Sequence, residues 1–116
     1  MRRLAPAALL FVIACASYAP QQCDTLYFGT ATPDGSAVTE SEWEAFVADT
    51  ITPRFPGFTE WETDGHWKNE HERTHVVLVM HASSEDLAIA QIIDAYKQRF
   101  HQEAVLRVTS ACRVEF

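Results

Sequence analysis

The most hydrophobic pattern downstream of the N-terminus spans residues 74–81, where apolar residues follow one another without a break from Val76 to Met80. The run is rich in valine and too short for a buried helix, so it predicts a strand. Successive side chains point to opposite faces of a strand, and both faces are apolar here. Such a strand is typically central in its sheet.

Two helices are predicted, one before and one after this strand. Thr39 and Glu42 have the spacing of a capping box, so the first helix is expected to begin there. Pro53 ends it, because the residue before a proline avoids the helical conformation. Ser83 or Ser84 caps the second helix. Its buried face is predicted from apolar residues at helical spacing: Ile89, Ile92, Ile93, Tyr96 and Phe100.

Shorter patterns predict three further strands, at residues 24–30, at 58–62 and from 104 onward. Residues 64–65, an Asp-Gly pair, are interpreted as a turn or bulge. The polar residues 69–72 are interpreted as a loop. The predicted order is therefore strand, helix, strand, strand, helix, strand.

This order predicts an α+β fold, the ferredoxin-like split βαβ sandwich with βαββαβ connectivity. The sheet would be antiparallel in the order 4-1-3-2, with both helices on one face. A chain of 116 residues suffices for one such domain, which we place at residues 23–116.

The N-terminus has the layout of a secretory signal peptide, predicted at residues 1–14. Two arginines precede an uncharged apolar segment that is too short to span a bilayer. Cys15 follows a sequence typical of a bacterial lipoprotein and would be acylated, leaving residues 15–22 as a polar tether. Cleavage by ordinary signal peptidase after Ala19 is the alternative, which Pro20 disfavours. The protein is thus expected to be exported to the periplasm or cell envelope, and anchored there by lipid.

Export leaves Cys23 and Cys112 as a pair in an oxidising compartment, and the predicted topology brings them together. A disulfide between them is therefore expected. One detail conflicts with it. If Leu106 and Val108 face the core as Leu26 and Phe28 do, strict alternation puts the two cysteines on opposite faces, and a bulge would be needed.

Charge and motifs narrow the function classes. A formal net charge of -7 argues against a nucleic-acid partner and against electrostatic attraction to anionic lipid, so the membrane is reached through the lipid anchor alone. No catalytic motif, metal motif or phosphate loop is recognised, and no cofactor is predicted. His71, His75 and His81 are too far apart along an extended segment to share a metal. Whether the protein is an enzyme stays open.

A ligand site is predicted at four residues on or beside aromatic segments: Tyr27, Arg54, Glu72 and Arg99. The two arginines could clamp an anionic ligand. The simpler alternative, which we favour, is that they pair with Glu72 and tie loops together.

Six stretches together resemble a family of small exported bacterial proteins known only as a domain of unknown function, DUF3574. They are residues 24–29, 38–46, 51–56, 65–67, 96–100 and 102–107. The resemblance covers residues 24–116. It implies bacterial origin, export, often a lipoprotein signal, one compact domain and no established activity.

The function predicted from these observations is a lipid-anchored interaction module that binds an unknown partner in the cell envelope. The alternative is a small enzyme or ligand-binding domain of the dimeric α/β-barrel type, with its site on the open face of the sheet. A homodimer formed through that face is also expected, because both faces of the central strand are apolar. A monomer whose apolar patch is kept small by flanking polar residues is the competing interpretation.

Overall fold

The computed structural model describes residues 21–116. The strands are β1 (Gln21–Gly29), β2 (Thr59–Trp67), β3 (Glu70–Ala82) and β4 (Leu106–Cys112). The helices are α1 (Glu40–Phe46) and α2 (Asp86–Arg99). The sheet is antiparallel in the order β2-β3-β1-β4, which is the predicted 4-1-3-2 order. The predicted ferredoxin-like arrangement is confirmed.

The hydrophobic core lies between one face of the sheet and the two helices. Leu26 and Phe28 of β1 pair with Val77 and His75 of β3, and all four side chains are buried on this side. The helices contribute their apolar faces. Their core residues are Trp43, Phe46, Ile89, Ile92 and Tyr96.

Helix α1 begins as the sequence predicts. Thr39 accepts a hydrogen bond from the backbone of Glu42, whose side chain accepts one from the backbone of Thr39. The helix continues as a π-helical turn, Val47–Ile51, and ends before Pro53. Helix α2 follows a short 3-10 turn, Ser83–Glu85. The predicted cap at Ser83 or Ser84 is wrong, because Ala82 precedes the turn and Glu85 precedes the helix, and neither serine side chain caps either one. Neither described helix has the length and hydropathy needed to cross a membrane.

Strands β2 and β3 form a longer hairpin than predicted. Gly65 pairs with Glu72 inside the ladder, so residues 64–65 are not a turn. The connection is the two-residue turn 68–69, and Lys68 takes the positive φ of 54° there. The interpretation of residues 69–72 as a loop is therefore wrong for residues 70–72, which belong to β3, and holds for Asn69 alone. Polar residues continue a strand here because the tip of the hairpin projects into solvent and needs no apolar face.

The disulfide between Cys23 and Cys112 is present, with their Cα atoms 5.8 Å apart. No bulge is needed, because the expected orientation of β4 is wrong. Leu26 pairs with Arg107, so Arg107 faces the helices while Leu106 and Val108 face away from them. Cys112 therefore lies on the same side of the sheet as Cys23.

The described residues overlap the N-terminal predictions only at residues 21–22, the end of the predicted tether. The predicted signal peptide, residues 1–14, and Cys15 lie outside the described residues. Strand β1 begins at Gln21, so the last two residues of the predicted tether are part of the sheet.

Candidate functional site

The face of the sheet opposite the helices is the most distinctive surface of the molecule. We call it the open sheet face and define it by the side chains that the strand registers place on that side. From β1 and β4 these are Gln21, Cys23, Thr25, Tyr27, Gly29, Leu106, Val108, Ser110 and Cys112. From β2 and β3 they are Thr59, Trp61, Thr63, Gly65, Trp67, Glu70, Glu72, Thr74, Val76, Leu78, Met80 and Ala82.

Charge is nearly absent from the open sheet face. Its two charged members, Glu70 and Glu72, lie at the hairpin end. The helix-side positions of β2 are by contrast occupied by Glu60, Glu62 and Asp64. The acidic character of the chain is therefore segregated away from this face.

Large apolar side chains of the open sheet face are exposed. The exposed fraction is 44% for Trp61, 48% for Met80, 60% for Leu106 and 49% for Val108. Among the apolar side chains on this side, only Val76, on the central strand β3, is fully buried. An apolar surface of this kind on a small domain marks an interface or a ligand groove.

A groove of about 840 Å³ continues the open sheet face where β2 begins and β4 ends. Its lining is largely aromatic and aliphatic, and includes Phe55, Phe58, Leu78, Met80 and Phe116. Its volume is within the range of small-molecule pockets, roughly 300–1,000 Å³.

The four residues predicted as a ligand site do not come together. Tyr27 and Glu72 lie on the open sheet face. Glu72 accepts a hydrogen bond from the backbone N–H of Ala31 at 2.8 Å. The same carboxylate lies so close to Gly29 that a Cβ there would approach it to 2.5 Å. Glu72 thus serves to hold the chain that follows β1.

Arg54 and Arg99 lie on the helix side and have partners of their own. Arg54 donates to the carbonyl oxygen of Thr50 at 2.8 Å. Arg99 donates to both carboxylate oxygens of Asp49 at 2.8 and 2.9 Å, and this bond lowers the pKa of Asp49. Neither arginine makes the expected ion pair with Glu72. Both connect helical segments rather than form a clamp for an anion.

Comparison with known proteins identifies the family of this chain. The family model of a protein of unknown function, DUF3574, matches residues 23–116. The chain belongs to this family. The resemblance noted from the sequence is confirmed. No curated protein matches this DUF3574 chain.

Two solved structures resemble the DUF3574 protein in fold. A phage SAM lyase in complex with S-methyl-5'-thioadenosine gives a TM-score of 0.56 at 10% identity, over 80% of this chain and 81% of that one. A phage SAM lyase in the apo state gives 0.51 at 17% identity, over 96% of this chain and 86% of that one. At these identities the similarity shows a shared fold alone.

The DUF3574 domain also contains a buried ionic network that sequence reasoning missed. The side chain of Asp24 is fully buried on the helix side. It accepts hydrogen bonds from Arg107 at 2.8 and 3.0 Å and from Thr109 at 2.5 Å. Nε2 of His81 lies 2.5 Å from the same carboxylate, and Gln22 donates to it at 3.1 Å. The carboxylate has no position left for a substrate, so the network is structural.

Electrostatic interactions within this network favour the ionised forms of Asp24 and Arg107. Burial by itself raises the pKa of Asp24, but the hydrogen bonds, led by that from Arg107, outweigh it and hold the pKa well below its ordinary value. The bonds to Asp24 and Asp86 also raise the pKa of Arg107. The alternation of side chains along β1 could have identified Asp24, since it places Asp24 on the same buried side as Leu26 and Phe28.

The histidines of β3 lie in three different environments. His71 is exposed and contacts Asp64 at 3.0 Å. His81 belongs to the buried network. His75 is stacked on Trp43, with ring centroids 4.3 Å apart, and burial lowers its pKa despite opposing carboxylates nearby. The expectation that these three cannot share one metal agrees with their positions.

Proposed function

We propose that this protein is an exported interaction module of the bacterial cell envelope that assembles through its open sheet face. The observation that supports this proposal best is the segregation of charge. In a chain with a formal net charge of -7, the open sheet face keeps its charged residues at one end and exposes Trp61, Met80, Leu106 and Val108.

The occupant that fits this face best is a second copy of the chain. Two acidic molecules repel each other, and this repulsion is smallest when the surfaces that meet are uncharged and the charged surfaces stay far apart. Two open sheet faces meeting around a two-fold axis would place the sheets about 10 Å apart and leave the acidic helix layers in water. Self-complementary contacts of this kind are the commonest mode of oligomer formation.

Introducing charge on the open sheet face is expected to abolish dimerisation. In sedimentation equilibrium the native protein should have twice the monomer mass. Met80→Glu and Val108→Glu should each shift it to the monomer, because each would bury an unpaired carboxylate in the interface. Both positions are half exposed in the single copy, so the variants should keep the circular-dichroism spectrum of the native protein.

The matched control is Leu87→Glu, which changes an apolar residue of α2 that is 69% exposed. This variant should remain a dimer. A native protein that stays monomeric at high micromolar concentration contradicts the proposal, as does a Leu87→Glu variant that dissociates to the same extent as Met80→Glu.

Export and lipid anchoring at Cys15 are the second part of the proposal. The basic and apolar N-terminal segment and the disulfide between Cys23 and Cys112 support it, since disulfides persist in oxidising compartments. Mass spectrometry of the protein from the membrane fraction of producing bacteria should show an N-terminal diacylglyceryl-modified Cys15. An unmodified N-terminus at Pro20 would retain export and reject the anchor, and an intact Met1 in the cytoplasm would reject both.

A second candidate function is binding or conversion of a small molecule at the groove. Two observations favour it, the volume of about 840 Å³ with its aromatic lining and the similarity in fold to a phage SAM lyase in complex with S-methyl-5'-thioadenosine. Stoichiometric binding of S-methyl-5'-thioadenosine to a monomer would favour this candidate over the interaction module. Calorimetry with that compound distinguishes the two.

A further inference from the structure

A second cluster of side chains that could bind a ligand lies on the helix side of the sheet, away from the open sheet face. His75 is only 4% exposed, and its ring is held parallel to that of Trp43 with an interplanar angle of 3°. Among residues 21–116 no side chain or backbone group forms a hydrogen bond with its ring nitrogens. Its ring nitrogens are not fully buried, because within residues 21–116 the one fully buried side-chain nitrogen or oxygen without a partner is Nε1 of Trp43. They therefore remain open to a ligand.

Two carboxylates from separate elements converge on this imidazole. Glu62 lies directly opposite His75 in the β2–β3 ladder, and Glu40 is the first residue of α1. One ligand atom of each of the three residues lies within 4.8 Å of the others. Glu40 and Glu62 are both exposed, so packing does not fix either carboxylate.

These distances are close to those that a shared metal ion requires. Zn²⁺ bonds to imidazole nitrogen and carboxylate oxygen at about 2.0–2.2 Å, so two ligand atoms of one ion are at most about 4.4 Å apart. Small rotations of the two glutamates close the difference. Arg73 pairs with one oxygen of Glu62 at 2.7 Å, which leaves the other oxygen available.

We propose that Glu40, Glu62 and His75 form a binding site for a divalent transition metal, with Zn²⁺ as the best-matched ion. One imidazole and two carboxylates suit zinc better than magnesium or calcium, which prefer oxygen ligands alone. Three protein ligands leave a fourth coordination position open to water or a partner's side chain. The ion would also connect the start of α1 to the β2–β3 hairpin, as the stacking of Trp43 on His75 does.

Zinc titration of the protein, purified without a histidine tag, tests this assignment by isothermal calorimetry. We expect one Zn²⁺ per chain. Glu40→Gln and Glu62→Gln should each weaken binding at least tenfold, because each removes one anionic ligand and changes no buried group. Glu60→Gln and Glu44→Gln are the matched controls on the same strand and the same helix, and their affinities should stay within twofold of the native value.

The ¹⁵N resonances of the histidine rings give a second readout. Zinc should shift the ring resonance of His75 and leave those of His66 and His71, the exposed histidine pair at the hairpin tip, unchanged. The proposal is overturned if the native protein binds no zinc, if Glu60→Gln weakens binding as much as Glu62→Gln, or if only His66 and His71 respond.

Discussion

Replacing Asp24 by asparagine is expected to lower the free energy of unfolding by about 3–5 kcal/mol, the usual cost of removing one partner of a buried ion pair. The substitution leaves Arg107 and His81 beside a neutral group, where the side chains of Asp24 and His81 are shielded from water and that of Arg107 is partly exposed. The new amide would also point N–H groups at side chains that are themselves donors. Urea denaturation followed by circular dichroism measures the change.

Asp86→Asn is the matched control for this prediction. Asp86 also accepts a hydrogen bond from Arg107, but its side chain is about half exposed. Exposed pairs of this kind contribute about 0–1 kcal/mol. Equal losses from Asp24→Asn and Asp86→Asn would show that the carboxylate of Asp24 has no special role.

The same network predicts how stability depends on pH. The pKa of Asp24 is lower in the folded protein than in the unfolded chain, where an aspartate titrates near about 3.9. The contribution of Asp24 is therefore complete above about pH 4 and is lost as the pH falls toward the folded-state pKa. Between neutral pH and pH 3 the native protein should lose more stability than the Asp24→Asn variant.

Removing the disulfide is the other change with a large expected effect. Cys23 and Cys112 are 89 residues apart, so the bond closes almost the whole domain into one loop. The chain-entropy model gives about 4–5 kcal/mol for a loop of this size, because the bond restricts the unfolded chain. The double variant Cys23→Ala/Cys112→Ala should unfold at correspondingly lower denaturant concentration.

Each single variant should lose as much stability as the double variant, since either one breaks the same bond. Cys15→Ala, which leaves that bond intact, is the control and should match the native protein. A double variant that unfolds at the native denaturant midpoint would contradict the predicted role of the bond.

The sequence predicts the architecture where local patterns and global fold agree. The valine run identifies the central strand β3, and the capping box at Thr39 marks the start of α1 to the residue. The order of elements then leaves few topologies, and the ferredoxin-like one is found. The pairing of Cys23 with Cys112 follows from the neighbouring positions of β1 and β4.

The orientation of β4 was not predictable from hydrophobicity, because Leu106 and Val108 look like core residues. They point outward since Arg107 and Thr109 are required on the inner side to bind Asp24. A rule that assigns apolar residues to the core therefore predicts the wrong inward-facing side chains for β4. The reversal both removes the predicted bulge and creates the apolar open sheet face.

The candidate ligand sites depended on tertiary contacts that spacing does not reveal. The nearness of aromatic residues in the sequence suggests one site for Arg54, Arg99 and Glu72, yet each arginine finds a closer partner within the helical layer. The approach of Glu40 to His75 joins residues 35 positions apart. No sequence motif marks the partners of the two arginines or the approach of Glu40 to His75.

The central claim, that two copies meet through their open sheet faces, is tested most directly by an isotope-filtered NOE experiment on the Met80 methyl group. Protein with ¹³C-labelled methionine methyls is mixed with unlabelled protein at high micromolar concentration. The claim predicts NOEs from the labelled Met80 methyl to open-face protons of the unlabelled copy, such as those of Val108. The absence of any intermolecular NOE, or contacts only to residues of α2 such as Leu87, would contradict it.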